Sequence, residues 1–191
     1  MTSQEKVCFM GVIVVTGIPG VGKTTVMKKA AEGMDIKFVT FGTVMVNIAM
    51  ESGLVKDRDE MRKLTLEQQK NLQIKSAEKV ASMGTVILDT HCTVKTPKGY
   101  MPGLPEWVVK KINPTAIVVV EADPEEIFNR RANDATRNRD PDSKEEIHEH
   151  QQINRAAAMA YAALSGATVK IVFNHDDKLD DAVKQASPVL K

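Results

Sequence analysis

The sequence predicts an α/β fold in which a parallel five-stranded sheet is covered by helices on both faces. Three observations carry this expectation. Five short runs are apolar and β-branched on consecutive positions, segments with helical patterning separate them, and the first run leads into a glycine-rich turn that opens directly into a helix. Alternation of this kind is how a parallel sheet with crossover helices reads in sequence.

The strand runs are Val12 to Thr16, Lys37 to Thr40, Thr85 to Asp89, Thr115 to Glu121 and Thr168 to Phe173. Most lack the polar/apolar alternation of a half-exposed strand, as expected where both faces are buried. The longest helical segment spans 58–83, with an apolar stripe at Met61, Leu64, Leu72, Val80 and Met83 and Gly84 at the C-cap. A second helix is expected over 143–165, with Ser143 as N-cap, Glu146 completing a capping box and Gly166 as terminator. Two stretches interrupt the pattern. Residues 93–105 hold three prolines and two glycines and read as a loop, and residues 133–142 read as a polar, arginine-rich insertion between helices.

At 191 residues the chain suits one domain with short inserted lids. Lys+Arg 26 against Asp+Glu 25 gives a formal charge of +1, so nothing in the overall balance points to nucleic acid or an anionic membrane as partner. Cys8 and Cys92 lack C-x-x-C spacing and fit a reducing compartment. The apolar run 7–15 leads into a glycine-rich loop instead of a cleavage site, and no run approaches the roughly 20 apolar residues of a membrane span. A cytoplasmic protein is expected.

The strongest signal is Gly17-Ile18-Pro19-Gly20-Val21-Gly22-Lys23-Thr24, an unbroken G-x-x-x-x-G-K-[ST] between a strand and a helix, continued by Thr25. Glycines let successive amides curl around a phosphate, and the helix N-terminus adds positive potential. Lys23 is expected to reach the β- and γ-phosphates and the Thr24 hydroxyl to ligate Mg²⁺. Asp89 ends a buried apolar strand, where such proteins place the carboxylate that organises Mg²⁺, here mainly through bound water. The bland alternative for Asp89 is a turn former.

The phosphate loop alone does not select a function. A GTPase switch would carry Asp-x-x-Gly after the second key strand, whereas Asp89 is followed by Thr90, His91 and Cys92. Asn174-His-Asp-Asp177 lacks the lysine of a guanine-binding motif and reads as a strand-ending turn. A small-molecule kinase instead needs cations over the transferring group. Arg130, Arg131, Arg137 and Arg139 supply planar forks suited to phosphate oxygens, although a solvated basic loop would look similar. Asp134, Asp140 and Asp142 lie among them and no aromatic is interleaved, which argues against RNA. Arg58 and Arg62, four residues apart on one helix face, are candidates to hold a monophosphate, with Thr43 meeting its base or ribose. Paired surface charge is the alternative. His148 and His150 are two apart on a helix and read as solvated surface.

Assembled, these segments resemble the archaeal-type adenylate kinases along essentially the whole chain. The residues that carry the resemblance are Thr16 to Thr25, Phe41-Gly-Thr-Val-Met45, Lys56 to Leu64, Asp89-Thr-His91, Lys95 to Pro105, Asp134 to Asp140 and Gly166 to Lys170. The resemblance implies the reaction ATP + AMP ⇌ 2 ADP with Mg²⁺, a single P-loop kinase domain over 1–191, an AMP-binding insertion at 41–75 and a lid at 131–142. It also implies a homotrimer. By position, Gly17 to Thr25 become ATP-binding residues, Thr43, Arg58 and Arg62 AMP-site residues, and Lys23, Arg131, Arg137 and Arg139 catalytic cations, with Arg155 reaching in from the next helix. Two other readings stay open from the residues: a kinase for a different nucleoside monophosphate, and a P-loop ATPase serving as a regulatory or assembly factor.

Overall fold

The computed structural model describes residues 11–133 and 142–191. Five parallel strands form one sheet in the order β2-β3-β1-β6-β7: β1 (Val12–Thr16), β2 (Lys37–Thr40), β3 (Val86–Asp89), β6 (Pro114–Glu121) and β7 (Thr168–Phe173). Three of the five match the sequence reading residue for residue, and β3 and β6 shift by one residue at their starts. Strand periodicity sends neighbouring side chains to opposite faces. Val12 and Val14 of β1 therefore enter one core, and Ile13 and Val15 enter the other. The first core is closed by α2 (Phe41–Glu51), α3 (Leu66–Ala81), α4 (Glu106–Ile112) and α6 (Lys144–Ser165). The second is closed by α1 (Lys23–Ala30), α5 (Pro124–Ala132) and α7 (Leu179–Ala186), with Ile147 of α6. Burying each such Val or Ile contributes on the order of 1.5–3 kcal/mol before ordering costs, so a polar residue on β1 would penalise one whole layer.

The strand order reverses at β1, which pairs in parallel with β3 on one side and β6 on the other. Ligands of open α/β sheets bind outside the C-terminal ends of the strands at such a switch point. The glycine-rich turn leaves β1 at that place.

Three sequence expectations are corrected. The predicted helix over 58–83 is interrupted: Asp59–Lys63 form a 3-10 turn, Leu64 is extended, and α3 begins only after Thr65. Thr65 caps α3 through a reciprocal pair with Gln68, and this T-x-x-Q box is the signal the apolar stripe concealed. The predicted loop at 93–105 contains an antiparallel hairpin, β4 (Thr93–Thr96) with β5 (Gly99–Pro102). Pro97, Lys98 and Gly99 are turn chemistry, and Gly99 takes a φ of 114°. His150 is buried at 6% exposure, while His148 is exposed. Ser143, Glu146 and Gly166 cap α6 as expected. Among the described residues no helix is long and apolar enough to cross a membrane.

Candidate active site

The loop between β1 and α1 is anchored by its apolar residues and opened by its glycines. Ile18 and Val21 are buried at 1% and 0% exposure, so their side chains hold the loop down against the core. A Cβ on Gly17 would fall 2.6 Å from the Val120 carbonyl oxygen, because the chain crosses tightly over β6. Gly22 has a φ of 84°, and a Cβ there would meet Asn174 Nδ2 at 2.5 Å.

Lys23 and Thr24 open α1 and converge on one carboxylate. Lys23 Nζ lies 3.3 Å from Asp89 Oδ1, and Thr24 Oγ1 donates to Asp89 Oδ2 at 3.1 Å. The parallel register that sets Val15 opposite Asp89 brings the two strand ends together. Hard oxygens from Thr24 and Asp89 fit a Mg²⁺ that keeps most of its water and is otherwise held by phosphates. Among the described residues no group of three or more His, Cys, Asp or Glu assembles a cage of its own.

A cleft of about 870 Å³ opens here, lined by Ile18, Pro19, Gly20 and Gly22 to Thr25 at one end, by Asp89 to His91 along its floor, and by Thr40, Gly42, Thr43 and Arg58 at the other end. The first turn of α2 thus shares the cleft with the loop, 20 residues away in sequence. Arg58 lies over the bare Cα of Gly42, whose added Cβ would sit 3.5 Å from the guanidinium. Arg62 is exposed in the 3-10 turn and is not among the lining residues.

The arginines divide. Arg131 Nε donates to the Pro19 carbonyl at 2.8 Å and its NH1 pairs with Asp142 at 2.6 Å. Arg130, which sequence reasoning grouped with the lid, donates to the Asn174 carbonyl at 2.8 Å and the Val21 carbonyl at 3.4 Å, and pairs with Asp176. Arg137 and Arg139 lie outside the described residues. Arg155 is not among the lining residues and holds the buried carboxylate of Glu121 by two hydrogen bonds.

His91 stands on the cleft floor, and the surrounding protein lowers its pKa, first by burial and then through the Lys23 charge, against a smaller opposing effect of Asp89. Burial raises the Cys92 thiol to about 12, which makes it an inert core residue.

His150 belongs to a buried polar network beside the cleft. Thr93 Oγ1 donates to Asn154 Oδ1 at 2.6 Å, so neutral His150 donates through Nε2 to Thr93 Oγ1 at 3.0 Å. Burial lowers its pKa, with Arg131 and Lys95 adding to that and a hydrogen bond to the Thr93 backbone and Asp142 opposing it. Its folded pKa thus lies below the unfolded value near 6.5, so the unfolded chain binds the proton more readily. The neutral ring's contribution is complete above about pH 6.5 and is lost as pH falls through the folded pKa. Melting temperature should decline on acidification from pH 7 to 5, and H150Q should flatten that decline. Parallel melting curves for the two proteins would remove His150 as a cause.

A phosphate cradle that shares one cleft with an arginine and a threonine from a separate insertion is the architecture of a P-loop phosphotransferase. A family profile described as an AAA domain matches residues 16–148. Curated relatives narrow the class. The chain is 52% identical to an adenylate kinase of Methanothermobacter thermautotrophicus, over 95% of this chain and 100% of that one. It is 53% identical to an adenylate kinase of Methanocaldococcus jannaschii, over 94% of this chain and 98% of that one. The chain belongs to the adenylate kinase family. Among solved structures, a shikimate kinase from Bacteroides thetaiotaomicron superposes with a TM-score of 0.60 at 15% identity, over 95% of this chain and 98% of that one. That likeness concerns the fold alone.

Proposed function

We propose that this chain catalyses reversible phosphoryl transfer, ATP + AMP ⇌ 2 ADP, with the donor phosphates in the Gly17–Thr25 loop and AMP at the α2 end of the cleft. The observation that carries the reading is the convergence of Lys23 and Thr24 on Asp89 in the same cleft as Thr43 and Arg58. No side chain acts as nucleophile. An oxygen of the AMP phosphate attacks the γ-phosphorus, and the bond to the β-bridging oxygen breaks as ADP leaves. Catalysis is then positioning and neutralisation of charge. Loop amides and Lys23 hold the β- and γ-phosphates, Arg58 and Arg62 hold the AMP phosphate, and Thr43 orients the nucleoside. Family resemblance supports Arg137 and Arg139, outside the described residues, as cations for the transferring group in a site that excludes water as a competing acceptor, while Arg131, grouped with them by position, braces the loop at the Pro19 carbonyl. Thr24 and Asp89 would hold Mg²⁺, which when bound neutralises charge on the β- and γ-oxygens. Two further parts of the proposal are a homotrimer, supported by family resemblance, and a cytoplasmic location, supported by two cysteines without disulfide or metal spacing.

The decisive measurement is ADP production from ATP with AMP, CMP, UMP or GMP added singly, beside a reaction without acceptor. Strong stimulation by AMP alone is expected. Equal stimulation by another monophosphate would reassign the acceptor site, and acceptor-independent turnover would make the chain an ATPase.

A further inference from the structure

The turn after β7 and the end of α5 meet the phosphate loop through side chains that are not among those lining the cleft. Asn174 is buried at 8% exposure, and its Nδ2 donates to the Val21 carbonyl at 2.9 Å. Arg130 NH1 approaches the same carbonyl oxygen at 3.4 Å. Two positions earlier, Arg131 Nε donates to the Pro19 carbonyl. Alternate carbonyls of the loop are thus gripped by side chains that do not line the cleft, while Gly20 and Gly22 do line it.

Peptide planarity turns this grip into a statement about the amides. In a trans peptide the C=O and the following N–H point in opposite directions, and every described peptide bond is trans. A Val21 carbonyl fixed toward Asn174 therefore aims the Gly22 N–H away from Asn174, and a Pro19 carbonyl fixed toward Arg131 does the same for Gly20. The main chain that carries the Asn174 side chain is itself fixed. The Asn174 backbone N–H donates to the Glu121 carbonyl at 2.7 Å, and its own carbonyl accepts from Arg130 NH2 at 2.8 Å. Arg130 is in turn held by Asp176, whose N–H donates to Glu126 at 2.9 Å. The 2.5 Å approach of Nδ2 to the Cβ site of Gly22 shows that glycine there makes room for the grip as well as for the left-handed φ.

We infer that Asn174 is a positioning residue of the phosphate cradle: by holding the Val21 carbonyl from outside, with Arg130, it keeps the Gly22 amide turned toward the nucleotide phosphates. The inference rests on the loop being the donor-phosphate site. An amide already aimed at the phosphate requires no reorganisation on binding, which is how fixed dipoles favour an anionic ligand. Asn174 touches no reacting atom.

N174D keeps the shape of the side chain but sets a carboxylate oxygen against the Val21 carbonyl, and N174A removes the donor. Binding of inorganic tripolyphosphate is measured by calorimetry on both variants and on wild type, each confirmed folded by circular dichroism, together with KM for ATP and for AMP. N174D should weaken tripolyphosphate and raise KM for ATP by roughly tenfold or more, the loss expected when a buried hydrogen bond becomes a repulsion, with KM for AMP within about twofold of wild type. N174A should fall between. If N174D does not fold, N174A carries the measurement. Tripolyphosphate affinity within about twofold of wild type, or equal rises in both KM values, would overturn the positioning role. Failure of wild type to bind tripolyphosphate would instead sink the loop assignment beneath it.

Discussion

Lys23→Ala should abolish phosphoryl transfer while the chain remains folded. Lys23 is the one lysine lining the cleft among the described residues, and its ammonium stands 3.3 Å from Asp89 at the mouth of the phosphate loop. Charge on the γ-phosphoryl oxygens must be met inside a site that excludes water, where a fixed cation acts far more strongly than in bulk. Removing a single neutral donor from such a site costs about 10²–10³ in rate, so loss of a full charge should cost roughly 10³ or more. The fold has little reason to fail. Lys23 is the first residue of α1, alanine is a better helix former, and Asp89 keeps its hydrogen bond from Thr24. A stability loss of about 1–3 kcal/mol, from leaving a buried carboxylate with one partner fewer, is the expected scale. The checks are steady-state ADP production and a thermal melt on the same preparation. Transfer within tenfold of wild type would mean that the loop does not hold the donor phosphates.

The parts of this site that were legible in sequence are those whose residues lie close together along the chain. The phosphate loop, the strand before it and the capping box at Ser143 each announce themselves within ten residues, because the physics that requires them is local. Asp89 was legible by place, as a carboxylate ending an apolar strand, but its meeting with Lys23 and Thr24 needed the parallel pairing of β1 with β3. What stayed hidden depends on long-range contact. Asn174 reads as an ordinary turn residue, since nothing local tells that its amide reaches a carbonyl 153 residues earlier. His150 reads as surface because helical spacing fixes its angle relative to His148, not which side meets the β4–β5 hairpin. For Arg155 the family resemblance implied a reach toward the cleft, and its partner in the structure, Glu121, buried at 3% exposure and 34 residues earlier, is equally a long-range contact.

Asp89→Asn should separate metal-dependent catalysis from nucleotide binding, and the two effects should have opposite signs. The substitution preserves size and leaves an oxygen able to accept from Thr24, so the floor of the cleft keeps its shape. It removes the charge that pairs with Lys23 in the absence of nucleotide. Polyphosphate entering the wild-type loop competes with that ion pair for the ammonium, and in the variant it does not. Metal-free ATP should therefore bind D89N at least as tightly as wild type, measured by calorimetry in the presence of a chelator. Transfer should move the other way. A carboxylate that orients the waters of a bound Mg²⁺ is worth on the order of 10²-fold, the cost of disturbing residues around a metal ligand sphere, and the variant should require more Mg²⁺ to reach half its maximal rate. Weaker metal-free binding would show that Asp89 supports the loop instead of competing with the phosphates. An unchanged rate at every Mg²⁺ concentration would remove it from the metal site. That second result would leave Thr24 as the only protein oxygen proposed for the metal, without the carboxylate that Mg²⁺ sites beside phosphates ordinarily use.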